Sequence, residues 1–259
     1  MVVLITGASD GIGYQAARKL AALGHRIYGI SRSRAECDFM RQFSADVRDR
    51  TAFEAAVRAV LEEAGHIDLL LLCAGISLAS PADSTEAADA RDIFDINFWG
   101  CVEACALVLP HMKEKHHGRV LVLSSMTGLL PLPYLSFYSA GKAALLAYAC
   151  CLRMELRPYG IPVCVVLPGG VRTRFTQKRK VYRQYTDTVP GLKKAAATLG
   201  REEQSGLDPE RVAEKIVKLS RRRNPPPVVP VGGLYRLYAL LERLLPRRAL
   251  LWAIWRKYA

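Results

Sequence analysis

The 259-residue sequence predicts an α/β protein: a doubly wound, parallel sheet of about seven strands in three α/β/α layers, with a basic helical C-terminal extension. Three observations predict it. Short apolar runs, about four to eight residues each, alternate with longer helical patterns. The runs show little two-residue alternation, as strands buried on both faces do. Hydrophobic residues make up 51% of the chain against 24% charged, enough for a full core and too apolar for a disordered chain.

The strands are expected at Val2–Thr6, Arg26–Ser31, Ile67–Cys73, Arg119–Ser125, Ile161–Leu167 and Pro227–Val231, with a weaker one near Phe43–Ala45. Helical patterns lie over 11–24, 50–64, 85–115, 136–158 and 208–222. Asp208 before Pro209 reads as an N-cap with proline at the first helical position. Right-handed crossovers then place helices on both faces of one sheet. Residues 1–231 form one domain on this reading, and the long stretch 175–206 between strand and helix is a lid. In 232–259, Leu234, Leu237, Tyr238, Leu241, Leu244 and Leu245 recur along one helical stripe. Pro246 breaks it, and a second segment sets Leu250, Leu251, Ile254, Trp255 and Tyr258 against Arg247, Arg248, Arg256 and Lys257. Such an amphipathic tail lies on a membrane surface, covers a pocket or packs on a sister subunit.

Charge is unevenly spread. Residues 1–171 hold 16 Lys+Arg and 17 Asp+Glu, whereas 172–259 hold 21 and 7, a net of +14. An anionic partner, a membrane surface or a solvated face each accounts for that. No aromatic-interleaved basic platform accompanies it, so nucleic-acid binding is not expected. Seven cysteines, an odd number without a CxxC pair, read as reduced and buried thiols of a cytoplasmic protein. His111, His116 and His117 lack a cysteine partner, so no metal site is expected. Neither a signal peptide nor an uninterrupted apolar run of ~18 residues is read in the chain.

The chemistry starts at the first turn. Gly7, Gly11 and Gly13, with Ser9 and Ile12 between them, join the first strand to the first helix. Glycines there admit a tight turn and let backbone N–H groups at a helix N-terminus approach a pyrophosphate. After the second strand come Ser31, Arg32, Ser33 and Arg34, with no carboxylate before Glu36. Arg32, helped by Ser31 and with Arg34 as a second charge, suits the 2′-phosphate of NADP(H) rather than NAD(H). Tyr138 and Lys142 stand four residues apart on one helix face. A neighbouring ammonium, with the positive nicotinamide of an oxidised cofactor, lowers the phenol pKa from ~10, which fits Tyr138 to proton exchange with a substrate oxygen. Ser125, at the end of a strand, is placed to hold that oxygen.

These residues, with Asp46, Asn97 in Asp95-Ile-Asn97, and Pro168-Gly169-x-Val171-x-Thr173, resemble the classical short-chain dehydrogenases/reductases over about residues 1–231. The resemblance implies a Rossmann-like sheet and a catalytic tetrad of Asn97, Ser125, Tyr138 and Lys142. It implies that Asn97 sits in a locally distorted helix and that Lys142 bonds the nicotinamide ribose. Asp46 and Val47 then face adenine, Ala74 and Gly75 the adenosine half, and Pro168, Val171 and Thr173 the nicotinamide and inner phosphate. Cys73 stands where the family carries Asn, and Gly141 where it commonly carries Ser.

The loop Met126–Phe137 is almost wholly apolar, which implies a greasy pocket. The lid run through Gln177, Lys178, Arg179, Lys180, Tyr182 and Arg183 suits either solvent or an anionic carrier. The expected activity is NADP(H)-dependent interconversion of an alcohol and a ketone or aldehyde on a small lipophilic substrate of steroid, retinoid or fatty type. A 3-oxoacyl-carrier-protein reductase and a non-catalytic NADPH sensor are the alternatives. The resemblance also implies a homodimer or homotetramer through helices 85–115 and 136–158.

Overall fold

Strand β1 (Val2–Thr6) is buried along its whole length in the interior of a parallel sheet. Beside it run β2 (Arg26–Ser31) and β3 (Arg41–Ser44) on one flank. The other flank holds β4 (Leu69–Leu72), β6 (Val120–Leu123), β7 (Val163–Pro168) and β9 (Val228–Val231). A separate two-stranded sheet pairs β5 (Leu78–Ala79) with β8 (Lys180–Val181). This computed structural model describes residues 1–259, leaving aside the side chain of Thr176. The large sheet has the order β3-β2-β1-β4-β6-β7-β9, and its strand order reverses between β1 and β4.

Val3 pairs with Ile27 on one side and Leu69 on the other, so the three strands run in step. Alternate side chains then enter two different cores. Leu4, Leu70 and Leu72 pack with Phe53 on one face, whereas Val3, Ile5, Leu69 and Leu71 pack with Ile216 on the other. Each fully buried aliphatic side chain contributes about 1.5–3 kcal/mol.

Helices α1 (Gly11–Ala21) and α8 (Pro209–Ser220) cover one face; α2 (Arg50–Ala64), α4 (Gly100–Glu114) and α5 (Ser136–Glu155) cover the other. Their starts are set by local chemistry. Asp10 accepts from the Gly11 amide at 2.8 Å, Asp49 from Ala52 at 3.0 Å and Asp208 from Glu210 at 2.8 Å. The last is the predicted Asp-Pro start.

The expected single helix over 85–115 is three pieces. α3 (Ala87–Phe94) passes through a π-helical turn at Asp95–Trp99 into α4. Such turns accommodate an extra residue without ending the helix, which hydropathy patterning does not reveal. The stretch Ala87–Glu114 is long and apolar enough to span a membrane, but half of its most apolar window is buried in the protein. The helix expected over 136–158 stops at Glu155, and a 3₁₀ turn, Arg157–Tyr159, closes on left-handed Gly160. Of the cysteines expected to be buried, Cys151 is exposed on α5.

Residues 175–206 are more ordered than the sequence suggests. Around β8 lie α6 (Arg174–Gln177) and α7 (Pro190–Gln204). α7 buries only Leu192, Ala195, Thr198 and Leu199 among charged neighbours, a weak pattern to read in advance. The tail folds as α9 (Gly233–Leu244) and α10 (Arg247–Tyr258), parted at Pro246 as expected. The inward side of α9 is Tyr235, Tyr238 and Ala239; Leu234, Leu237, Leu244 and Leu245 of the expected stripe are exposed.

Candidate active site

The carboxyl ends of β1, β4, β6 and β7 open into one cavity of about 770 Å³. It lies where the strand order reverses, the place where open α/β sheets bind ligands. Every residue expected at the site lines this cavity except Arg34 and Asn97, the latter fully buried behind it.

The glycine turn forms a cradle that side chains would fill. Gly7 and Gly11 have φ of 70° and 54°. A Cβ on Gly7 would lie 2.8 Å from the Ala74 amide nitrogen, and one on Gly13 2.3 Å from the Gly7 carbonyl oxygen. The backbone therefore lies flush beside Ser9 and Ile12 at the N-terminus of α1, where N–H groups and the helix dipole favour a phosphate. Asp10 also takes Arg174 at 3.1 Å and Lys178 at 2.8 Å. Burial opposes its ionisation, yet these two cations outweigh burial and hold its carboxyl below the usual value.

At the far end, the Ser9 amide donates to Ser31 Oγ at 3.2 Å, and the Ser9 and Ser33 hydroxyls meet at 3.2 Å. Exposed Arg32 lines the cavity beside Asp46 and Val47. Asp46 is held below its usual pKa chiefly by Arg48, at 2.8 Å, with Arg32 adding to the effect. Arg34 instead sits in a separate pocket with Arg41 and Phe43, so the expected second charge is absent from the site. The turn after Ser33 carries it away from the strand end.

Ser125 lies two residues past the end of β6 and accepts from the Thr127 amide at 3.2 Å. Tyr138 and Lys142 project from the first turns of α5, and Ser124 Oγ anchors that helix by donating to the Lys142 carbonyl at 2.9 Å. Lys142 Nζ donates to the Leu123 carbonyl at 3.0 Å and lies 5.8 Å from the Tyr138 ring centre. Burial lowers the Lys142 pKa. Burial also pushes the Tyr138 phenol up to about 12, with Ser125 partly opposing it. Burial of the Tyr138 ring thus outweighs the lowering expected from Lys142.

Asn97 acts through backbone. Its Nδ2 donates to the Ile76 carbonyl at 2.9 Å and its Oδ1 accepts from the Ile76 amide at 2.8 Å. The π-helical turn that carries it is the distortion the resemblance implied. Gly75 leaves the room required: a Cβ there would lie 3.1 Å from Asn97 Oδ1 and 3.6 Å from Lys142 Nζ. Where Cys73 replaces asparagine, Thr6 ties the strands together, its Oγ1 accepting from the Cys73 amide at 3.2 Å and the Ala74 amide at 3.3 Å.

Leu130, Leu132 and Leu135 of the apolar loop line the substrate half, while Phe137 turns away to Leu78, Ile93 and Tyr182. The lid's basic run is largely paired within the chain, Arg179 buried and Lys178 and Lys180 still exposed. Lys178 meets Asp10, Lys180 meets Asp89 at 2.5 Å, and Arg179 meets Glu203 and the Ser77 hydroxyl. Sequence reading missed Arg179 and Glu203 as a pair, the Glu202 that takes Lys257 and the Tyr258 hydroxyl, and Tyr235. Tyr235 lies against Gly169, where a Cβ would come within 1.9 Å of its ring, and its hydroxyl accepts from the Gly170 amide at 2.8 Å. The doubled glycine after Pro168 was the available signal.

The short chain dehydrogenase family profile matches residues 1–183. A 3-ketodihydrosphingosine reductase of Bacteroides thetaiotaomicron is 32% identical over 258 residues, covering 98% of this chain and 96% of that protein. The crystal structure of a short-chain dehydrogenase from Streptomyces avermitilis matches with a TM-score of 0.81 and 28% identity, over 96% of this chain and 93% of that one. A closed serine dehydrogenase complexed with NADP+ matches at 0.78 and 26% identity, over 90% and 95%. With a profile spanning most of the sheet and a relative similar from end to end, the chain belongs to the short-chain dehydrogenase/reductase family of oxidoreductases.

Proposed function

We propose that the protein is an NADP(H)-dependent oxidoreductase that interconverts a ketone and an alcohol on a long-chain, lipophilic substrate. The observation that carries this reading is the substrate half of the cavity, where Leu130, Leu132, Leu135, Phe175, Leu199 and Ile254 gather around the Ser125 and Tyr138 hydroxyls. An apolar chain fills such a space and a single polar group is oriented by the two hydroxyls. The similarity to a 3-ketodihydrosphingosine reductase favours a fatty chain over a steroid or retinoid.

The cradle fits a dinucleotide. Gly7, Gly11 and Gly13 would hold its diphosphate, Ser31 and Arg32 its 2′-phosphate, and Asp46, Val47, Ala74 and Gly75 its adenosine half. Pro168, Val171 and Thr173 would hold the nicotinamide end. When bound, the cofactor supplies or takes up a hydride. The chain's own groups handle the proton. Burial keeps Tyr138 protonated at neutral pH, so it holds a proton ready for a carbonyl oxygen. Ser125 donates a hydrogen bond to the same oxygen and stabilises the charge developing there. Lys142 supplies the positive charge that steadies the phenolate left behind, and Asn97 fixes the strand end against which Lys142 packs. The preference for NADP(H) is supported by Arg32, which forms no ion pair among the described residues, and by the NADP+ held by the serine dehydrogenase.

The internal pairing of Lys178, Arg179 and Lys180 speaks against docking of an acidic carrier protein. A homodimer through the faces of α4 and α5 is supported by exposed Trp99 and Met154 beside them. A cytoplasmic location accords with the free thiols.

The test is NADPH oxidation against a long-chain 3-keto sphingoid base, a steroid ketone, a short soluble ketone and an acyl thioester. Turnover of the long-chain ketone is expected, with kcat lowered about 10²–10⁴-fold in Tyr138→Phe while NADPH binding persists. Arg32→Glu is expected to invert the preference toward NADH. Turnover of the thioester alone, or an active Tyr138→Phe, overturns the reading.

A further inference from the structure

The last two helices leave an apolar, basic-rimmed face in water. On α9, Leu237, Leu240 and Leu244 repeat at helical spacing and are exposed, Leu244 by 68%. On α10, Trp252 and Trp255 are exposed by 57% and 58%, with Leu251 beside them. Arg236, Arg243, Arg247, Arg248 and Arg256 border these residues, all exposed and without an ion-pair partner among the described residues. The only acidic residue of 232–259 is Glu242. So large an apolar patch is rarely left in water without a partner.

The same helices form the cavity wall. Leu241, Leu250 and Ile254 line it from within. Leu234 and Leu245 line it too, yet are exposed by 55% and 43%, so the outer apolar face and the cavity interior meet at these two side chains.

We infer that the outer face of α9 and α10 docks on an anionic lipid bilayer, and that a long-chain substrate passes from the bilayer into the cavity past Leu234 and Leu245. Leucines and tryptophans enter the headgroup boundary while arginines at the rim meet lipid phosphates. Charge selects this occupant over a second copy of the chain. Across a two-fold interface the same patch faces itself, and five unpaired arginines would oppose five others. The docking stands on the surface alone; the delivery rests on the function proposed above.

The test uses the full chain and vesicles of phosphatidylcholine with or without phosphatidylglycerol. Of three tryptophans two lie on α10, so in Trp99→Phe the emission reports the tail. A blue shift and co-flotation with the anionic vesicles, weakened by salt, are expected. Trp252→Ser/Trp255→Ser and Arg247→Glu/Arg248→Glu are each expected to bind about tenfold more weakly. Both variants should reduce a short soluble ketone at the unaltered rate but a vesicle-borne long-chain ketone more slowly. Equal binding to both vesicle types, binding to neither, or variants that float like the parent overturns the docking. A tail emission that shifts with protein concentration in the absence of lipid overturns it in favour of a second copy. Anionic-vesicle binding without turnover of any long-chain ketone supports the docking and retires the proposed substrate. Turnover in detergent without vesicle binding does the reverse.

Discussion

The Tyr138 phenol is the residue on which the chemistry turns. Its pKa is pushed up to about 12 by burial, so it is protonated throughout the neutral range. For carbonyl reduction, kcat/KM should stay level through neutral pH and fall only as the phenol ionises in alkali; alcohol oxidation should rise with pH instead. A steady-state pH profile in both directions checks this, and a reductive rate that falls between pH 6 and 8, about the histidine range, contradicts it. Thr6 carries a different burden. Its hydroxyl accepts two amides across the β1–β4 junction where Cys73 offers no amide side chain. Thr6→Val should lower stability by about 1–3 kcal/mol in urea unfolding, and Thr6→Ser should restore most of it.

At the scale of elements, the lid and the tail are held by few but specific contacts. The Arg179 and Glu203 side chains are only 5% and 14% exposed, and Arg179 also reaches Ser77 beside β5. Removing one partner leaves a buried charge, so Arg179→Ala should cost about 3–5 kcal/mol, read as a lower unfolding midpoint. Arg179→Leu/Glu203→Leu, which leaves no charge behind, should recover much of that. The tail is locked by Tyr235 against Gly169. Gly169→Ala should expel that ring, free α9 and make residues 232–259 a site of early proteolytic cleavage, whereas Gly233→Ala, with open space around it, should not. The same elements show where sequence reading stops. The cap at Asp208 was legible because side chain and amide lie within one turn. α7 was not, because its buried stripe is short and gains its partners from Leu135, Tyr138 and Tyr258, all distant in sequence. Arg179 reads as one more lid charge until Glu203 is seen 24 residues away.

Across the whole molecule, carboxylates set the acid limit. Asp10, Asp46, Asp68 and Asp89 are all held below their ordinary value of 3.8. A carboxyl whose folded pKa is depressed stabilises the fold above its unfolded pKa, and that stabilisation fades as pH falls through the folded value. Thermal midpoints should therefore hold steady from neutral pH down to about 4 and drop below it. Two of these carboxylates, Asp10 and Asp89, clasp the lid through Lys178 and Lys180, so lid opening should precede global unfolding in acid. The sequence by itself determined the parallel sheet, because strands buried on both faces are apolar throughout. It also marked the glycine turn and the Ser125, Tyr138 and Lys142 positions, because turn geometry and helix spacing are local. Only the tertiary structure decided which way Tyr138 titrates, which lid charges find partners, and which face of the tail looks out. Each of those depends on burial and on partners far along the chain, and a residue's own neighbours in sequence carry no record of either.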